Sequence, residues 1–113
     1  MAPQVMVRPR GKWLRISELP YETKVYINNQ VLIPALLVRR LGIEQLRYAD
    51  ITIEYKGFMI VIRNVRLLRP RQTAARQFTI PRNVREQYGI RPFDTIRVVS
   101  IEPSGNTHPG GLH

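Results

Sequence analysis

The chain has 113 residues, of which 43% are hydrophobic and 23% charged, the composition of one globular domain. Cysteine is absent, which excludes disulfides, thiolate zinc sites and thiol catalysis. Eighteen Lys and Arg against eight Asp and Glu give a formal net charge of +10, and every cation except Lys12, Lys24 and Lys56 is an arginine. Guanidinium groups stay charged and fork around phosphate oxygens, so the imbalance points to a polyanionic partner.

No apolar run approaches the ~20 residues of a membrane span, and residues 1–8 lack the apolar core of a signal peptide. A cytoplasmic protein, associated with nucleoid or ribosome and without a membrane partner, is expected. The charge is also uneven. No acidic residue stands between Glu54 and Glu86, whereas Lys56, Arg63, Arg66, Arg69, Arg71, Arg76, Arg82 and Arg85 do. Such a run suggests one basic surface.

In chain order, residues 1–12 read as a basic extended arm carrying Arg8, Arg10 and Lys12, punctuated by Pro9 and Gly11. A strand is expected at 23–27, a hairpin turn at Asn28-Asn29, and a short strand at 31–33. Pro34 opens a helix whose apolar face is Leu36, Leu37 and Leu41, and Gly42 stops it in a left-handed conformation. An alternating strand follows at 50–55, then a Lys56-Gly57 turn and a returning strand at 58–62. Residues 67–73 read as extended, interrupted by Pro70, with a turn at Ala75-Arg76. Phe78-Thr79-Ile80 is a strand, Pro81 opens a second helix faced by Val84 and Tyr88, Gly89 ends it, and 95–101 is the last strand. Residues 104–113 read as a flexible tail.

Two of these stretches repeat. Gln30, Ile33, Pro34, Gly42 and Ile43 recur as Gln77, Ile80, Pro81, Gly89 and Ile90, always 47 residues later. Repeat one spans about 23–63 and repeat two about 67–102, within a single domain at 13–103. The reading places two or three extra residues of the first copy between Gly42 and its following strand, which makes Asp50 and Asp94 equivalent.

A hairpin, a strand ending Ile-Pro, a short helix, Leu-Gly-Ile and an Asp before an alternating strand together resemble the AbrB (SpoVT/AbrB) swapped-hairpin family. The resemblance covers about residues 23–102. It implies a mainly β fold: a small closed β-barrel, normally built by two chains exchanging hairpins, here a single-chain pseudo-dimer with two short helices. No obligate homodimer is then expected. Repeat two shows no second hairpin after Ile101, and the 13–16 segment is the expected filler of the vacant strand position. The resemblance implies DNA binding in transcription control or chromatin, through the face built from the first hairpin of each half. Lys24, Arg71 and Arg76 would clamp phosphates there, and Asn28, Asn29, Gln30 and Gln77 would read base edges. Arg8, Arg10 and Lys12 add the arm.

An rRNA-binding structural subunit of the ribosome suits the same size, charge and arms. An antitoxin-like module fits less well, because no acid follows Glu102. Catalysis is poorly supplied: His108 and His113 lie in the tail, no serine stands beside a base, and Asp50 and Asp94 suit turns. No enzyme activity, metal or cofactor is expected. Tyr26, Tyr55, Phe58, Phe78 and Tyr88 are expected in the core, whereas Trp13 and Tyr21 are undetermined.

Overall fold

The computed structural model describes residues 16–105. Arg8, Arg10, Lys12, Trp13, His108 and His113 lie outside that range. In chain order the elements are β1 (Tyr21–Lys24), β2 (Gln30–Ile33), α1 (Ala35–Leu41), β3 (Tyr48–Tyr55), β4 (Phe58–Arg66), β5 (Arg76–Thr79), α2 (Arg82–Tyr88) and β6 (Thr95–Pro103).

The strands form two open antiparallel sheets, one ordered β1-β6-β3-β4 and the other a two-stranded ribbon of β2 and β5. The implied closed barrel is thus corrected: among the described residues no ladder joins the sheets into a ring. The expected β content and two short helices are present.

Side-chain alternation explains the layering. Ile51, Ile53 and Tyr55 of β3, Ile60 and Ile62 of β4, Ile96 and Val98 of β6, and Val31, Ile33 and Phe78 of the ribbon all point inward, with Leu37 and Val38 of α1 between them. Thr52, Glu54, Met59, Val61 and Arg97 take the opposite face.

Both helices start and stop alike. Pro34 and Pro81 stand at the N-caps with φ −59° and −58°. Gly42 and Gly89 follow the last turns at φ +67° and +74°, a region that costs a side chain dearly. The N–H groups of Ile43 and Ile90 reach back to the carbonyls of Val38 and Arg85, a Schellman closure that drops each isoleucine into the core.

The repeats correspond in their pairing as well. Val25 N–H donates to the Asp94 carbonyl, and Leu67 N–H donates to the Arg47 carbonyl. Thr23 opposes Ile96 as Val65 opposes Ala49. β3 starts at Tyr48 and β6 at Thr95, again 47 residues apart. The first copy therefore has no extra residues after Gly42, and Asp94 corresponds to Arg47, not to Asp50. The length difference lies in the hairpins: the first turns at 26–29, whereas the second makes a longer excursion between Leu68 and Gln77.

β1 starts two residues before the expected strand and ends at Lys24. Residues 67–73 form only a bridge between Leu68 and Gln77, because Pro70 withholds a donor. Of the aromatic residues expected inside, Tyr55 and Phe78 are buried and Tyr88 is half-buried, but Phe58 is 57% exposed at the β3–β4 tip and Tyr26 37% exposed beside the first turn. Tyr21 is buried, and its hydroxyl donates to the Leu32 carbonyl at 2.7 Å.

Candidate nucleic-acid interface

The ribbon presents one face to the core and one outward. Val31, Ile33, Arg76 and Phe78 point in, while Gln30, Leu32, Gln77 and Thr79 line the outer face. Gln30 opposes Thr79 and Leu32 opposes Gln77. The Gln30 side-chain amide donates to Thr79 Oγ1 at 3.2 Å, and Asn28 Nδ2 donates to Gln30 Oε1 at 3.0 Å. Exposed Asn28 and Thr79, with half-buried Gln30 between them, form one polar chain from the turn onto the ribbon.

Asn28 and Asn29 occupy the first turn as expected. Asn28 Oδ1 accepts the Gln30 N–H, and Asn29 has φ +64°, which asparagine tolerates better than most residues. Its carbonyl accepts the Ile80 N–H, tying the turn to the end of β5.

Lys24 lies exposed at the root of the first hairpin, and Arg66 is its counterpart at the root of the second. Beyond Arg66 come Arg69, exposed with Nε donating to the Thr73 carbonyl, and Arg71, exposed at φ +51°. Arg47, also exposed, meets this end through its carbonyl's bond to Leu67. Among the described residues, none of Lys24, Arg47, Arg66, Arg69 and Arg71 has a carboxylate partner. The ion pairs among the described residues lie elsewhere: Arg63 with Asp50, Arg82 with Glu86, and Arg97 with Glu54.

Arg76 does not belong with them. It is 8% exposed, and its guanidinium donates to the carbonyls of Ala74, Ala75 and Glu44 at 2.8–2.9 Å. Its role as a phosphate clamp is therefore corrected to that of an internal strut, holding the excursion before β5 against the loop after α1. Arg66, Arg69, Leu32 and Thr79 join this candidate surface, although the sequence reading did not name them on the hairpin face. The alternation of β2 and β5 was the signal for Leu32 and Thr79, and the acid-free run was the signal for the arginines.

The two hairpin ends differ. The second is arginine-rich. The first carries exposed Tyr26, Ile27 and Phe93, the last at φ +74°, a strained value for a bulky side chain. Phe93 N–H donates to the Val25 carbonyl, which fixes it beside that hairpin.

The aspartates serve turns. Asp50 accepts the Asn64 N–H at 2.8 Å, and Asp94 Oδ2 accepts the Arg91 N–H at 2.9 Å and the Tyr55 hydroxyl at 2.7 Å. The Tyr55 bond, seconded by the Arg91 N–H, holds the Asp94 carboxyl below its ordinary range, and the same bond raises the Tyr55 phenol. Asp50 lies near the start of β3, whereas Asp94 precedes β6 and bonds Tyr55 at the far end of β3, so the two form no carboxylate pair. No cluster of His, Asp or Glu suited to a metal occurs among the described residues, and no helix there is long and apolar enough to cross a membrane. The chain matches no protein-family model, no curated protein and no solved structure.

Proposed function

We propose that the chain is a non-enzymatic nucleic-acid-binding protein whose interface is the β2–β5 ribbon with its two hairpin ends. Its partner on this reading is duplex DNA, as for the AbrB-like transcription regulators and chromatin proteins that the sequence resembles. One observation carries the reading: a two-stranded ribbon whose outer face bears Gln30, Leu32, Gln77 and Thr79 is flanked by Lys24, Arg66, Arg69 and Arg71, none offset by a carboxylate among the described residues. The major groove admits a two-stranded ribbon, where amides pair with adenine edges and an apolar side chain meets the thymine methyl. The flanking cations meet the backbone and set register.

The matched registers of the two halves support the single-chain pseudo-dimer, in which one chain provides what two would in a swapped-hairpin dimer. Because the halves carry different side chains, the preferred site is not a palindrome. A paired titration tests the partner. Full-length protein and protein lacking residues 1–12 are titrated with duplex DNA and with folded rRNA. Duplex binding that survives loss of the arm supports the ribbon reading. Binding confined to rRNA and abolished with the arm replaces it with a ribosomal role.

A further inference from the structure

Between α1 and the second hairpin lies a groove of about 490 Å³, within the range of about 300–1,000 Å³ that small-molecule sites occupy. One wall is apolar and comes from Leu32 of β2 with Ala35 and Leu36 of α1. The other comes from Pro70, Thr73 and Ala75, in the excursion that lengthens the second hairpin. That second wall is braced from within. The Thr73 hydroxyl donates to the Pro70 carbonyl at 3.2 Å and accepts the Ala75 N–H at 3.1 Å, and Arg69 Nε donates to the Thr73 carbonyl at 2.8 Å. Arg76 ties its base to the loop after α1 through the Glu44 carbonyl. The groove is therefore held open by bonds of its own and needs no occupant to form.

We propose that this groove binds a small molecule with an apolar body and one anionic head, of the chemical class of the medium-chain monocarboxylates. The head falls to Arg39, the single charged residue of the lining, which is exposed and has no carboxylate partner among the described residues. The other half of the molecule shows what the same positions look like without such a site. Forty-seven residues on, Leu32, Ala35, Leu36 and Arg39 become Thr79, Arg82, Asn83 and Glu86. Those positions of α2 are polar, and Arg82 and Glu86 neutralise each other at 3.0 Å. The first hairpin turns within 26–29 and has no excursion to serve as a second wall. Apolar lining, opposing wall and unneutralised cation thus occur together in one half and are all absent from the other. An apolar body gains by leaving water against Leu32, Leu36 and Pro70, and a guanidinium beside it selects an anion over a neutral or cationic head. Leu32 belongs both to the groove and to the outer face of the ribbon, but the site stands on its own residues and is tested without nucleic acid.

Three probes of equal chain length separate head from body: octanoate, octanol and octylammonium, each titrated below its micelle concentration into the full chain and followed by amide chemical shifts. Octanoate moves the amides of residues 32–39 and 69–75 along one saturable curve, octanol binds there more weakly, and octylammonium does not bind. Arg39→Gln weakens octanoate by about two- to fivefold, the worth of an exposed ion pair, and leaves octanol unchanged. Arg40→Gln, the neighbouring exposed arginine of α1 outside the groove, changes neither. Unperturbed amides elsewhere in each variant show that it is folded. Shifts scattered over the chain without saturation overturn the proposal, as do equal affinities for octanoate and octanol or equal losses in the two arginine variants. So does tighter octanoate binding after deletion of residues 1–12 or 106–113, which assigns the groove to an end of the chain itself. Shifts of the same amides with protein concentration alone assign it to a second copy and likewise overturn the proposal.

Discussion

Val31 and Phe78 lie directly opposite each other in the β2–β5 ladder, and they are the same position of the two repeats, 47 residues apart. A residue facing its own counterpart is what an isologous two-fold interface produces. Here that relationship is internal, and because one side is valine and the other phenylalanine, the two halves cannot be identical. Both side chains are fully buried.

Self-sufficiency in solution follows. With both halves of the ribbon supplied by one chain, light scattering at low concentration gives the 13.2 kDa monomer mass. An obligate dimer there contradicts the internal pairing.

Thr23 is 4% exposed, and its hydroxyl has no hydrogen-bond partner among the described residues. Its counterpart in the other half is Val65, also buried. An unsatisfied buried hydroxyl costs about 1–3 kcal/mol. Thr23→Val therefore stabilises by about 1 kcal/mol, read as a higher urea midpoint at unchanged m-value. Destabilisation shows that the hydroxyl has a partner.

Arg76 and Arg71 separate by what their loss does. Arg76→Ala leaves the Ala74, Ala75 and Glu44 carbonyls without donors and lowers stability by about 2 kcal/mol or more, since bonds to a charged donor are worth about 1.5–3 each. Arg71→Ala moves the melting curve by less than about 0.5 kcal/mol, as surface changes do. Equal melting curves for the two variants sink the strut assignment.

Acid sensitivity has a named source. A carboxyl whose folded pKa lies below its unfolded value of about 3.9 stabilises the fold above that value. The contribution disappears as pH falls through the folded pKa. Asp94→Asn removes that term, so the loss of urea resistance between about pH 5 and about pH 2 is shallower than in the wild type. Tyr55→Phe acts in the same direction, because the Tyr55 bond is the first cause of the Asp94 shift. Unchanged acid limbs in both variants would falsify the pairing.

Much of the skeleton was legible because a few residues act locally. Pro34 and Pro81, with Gly42 and Gly89, mark helix ends through backbone constraints that need no tertiary context. The spacing after Gly42 was misjudged because two aspartates invited alignment, yet Asp94 answers a long-range partner, Tyr55, while Asp50 answers Asn64 across the β3–β4 hairpin. Arg76 resembled every other arginine of the acid-free run. Its inward turn depends on Glu44, 32 residues away in the chain. Phe58 and Tyr26 read as core by alternation, but each lies beside a hairpin tip, where alternation no longer sorts inside from outside.

The measurement that bears most directly on the proposed interface is the salt dependence of duplex DNA binding by the wild type and an Arg66→Ala/Arg69→Ala/Arg71→Ala variant. If the second hairpin end contacts phosphates with all three arginines, log K falls with log salt, and the variant's slope is shallower by about 2.7, or about 0.9 per lost contact. The affinity loss is then similar across unrelated duplex sequences. Equal slopes for the two proteins, or a slope near zero for the wild type, contradict the assignment of this surface to nucleic acid.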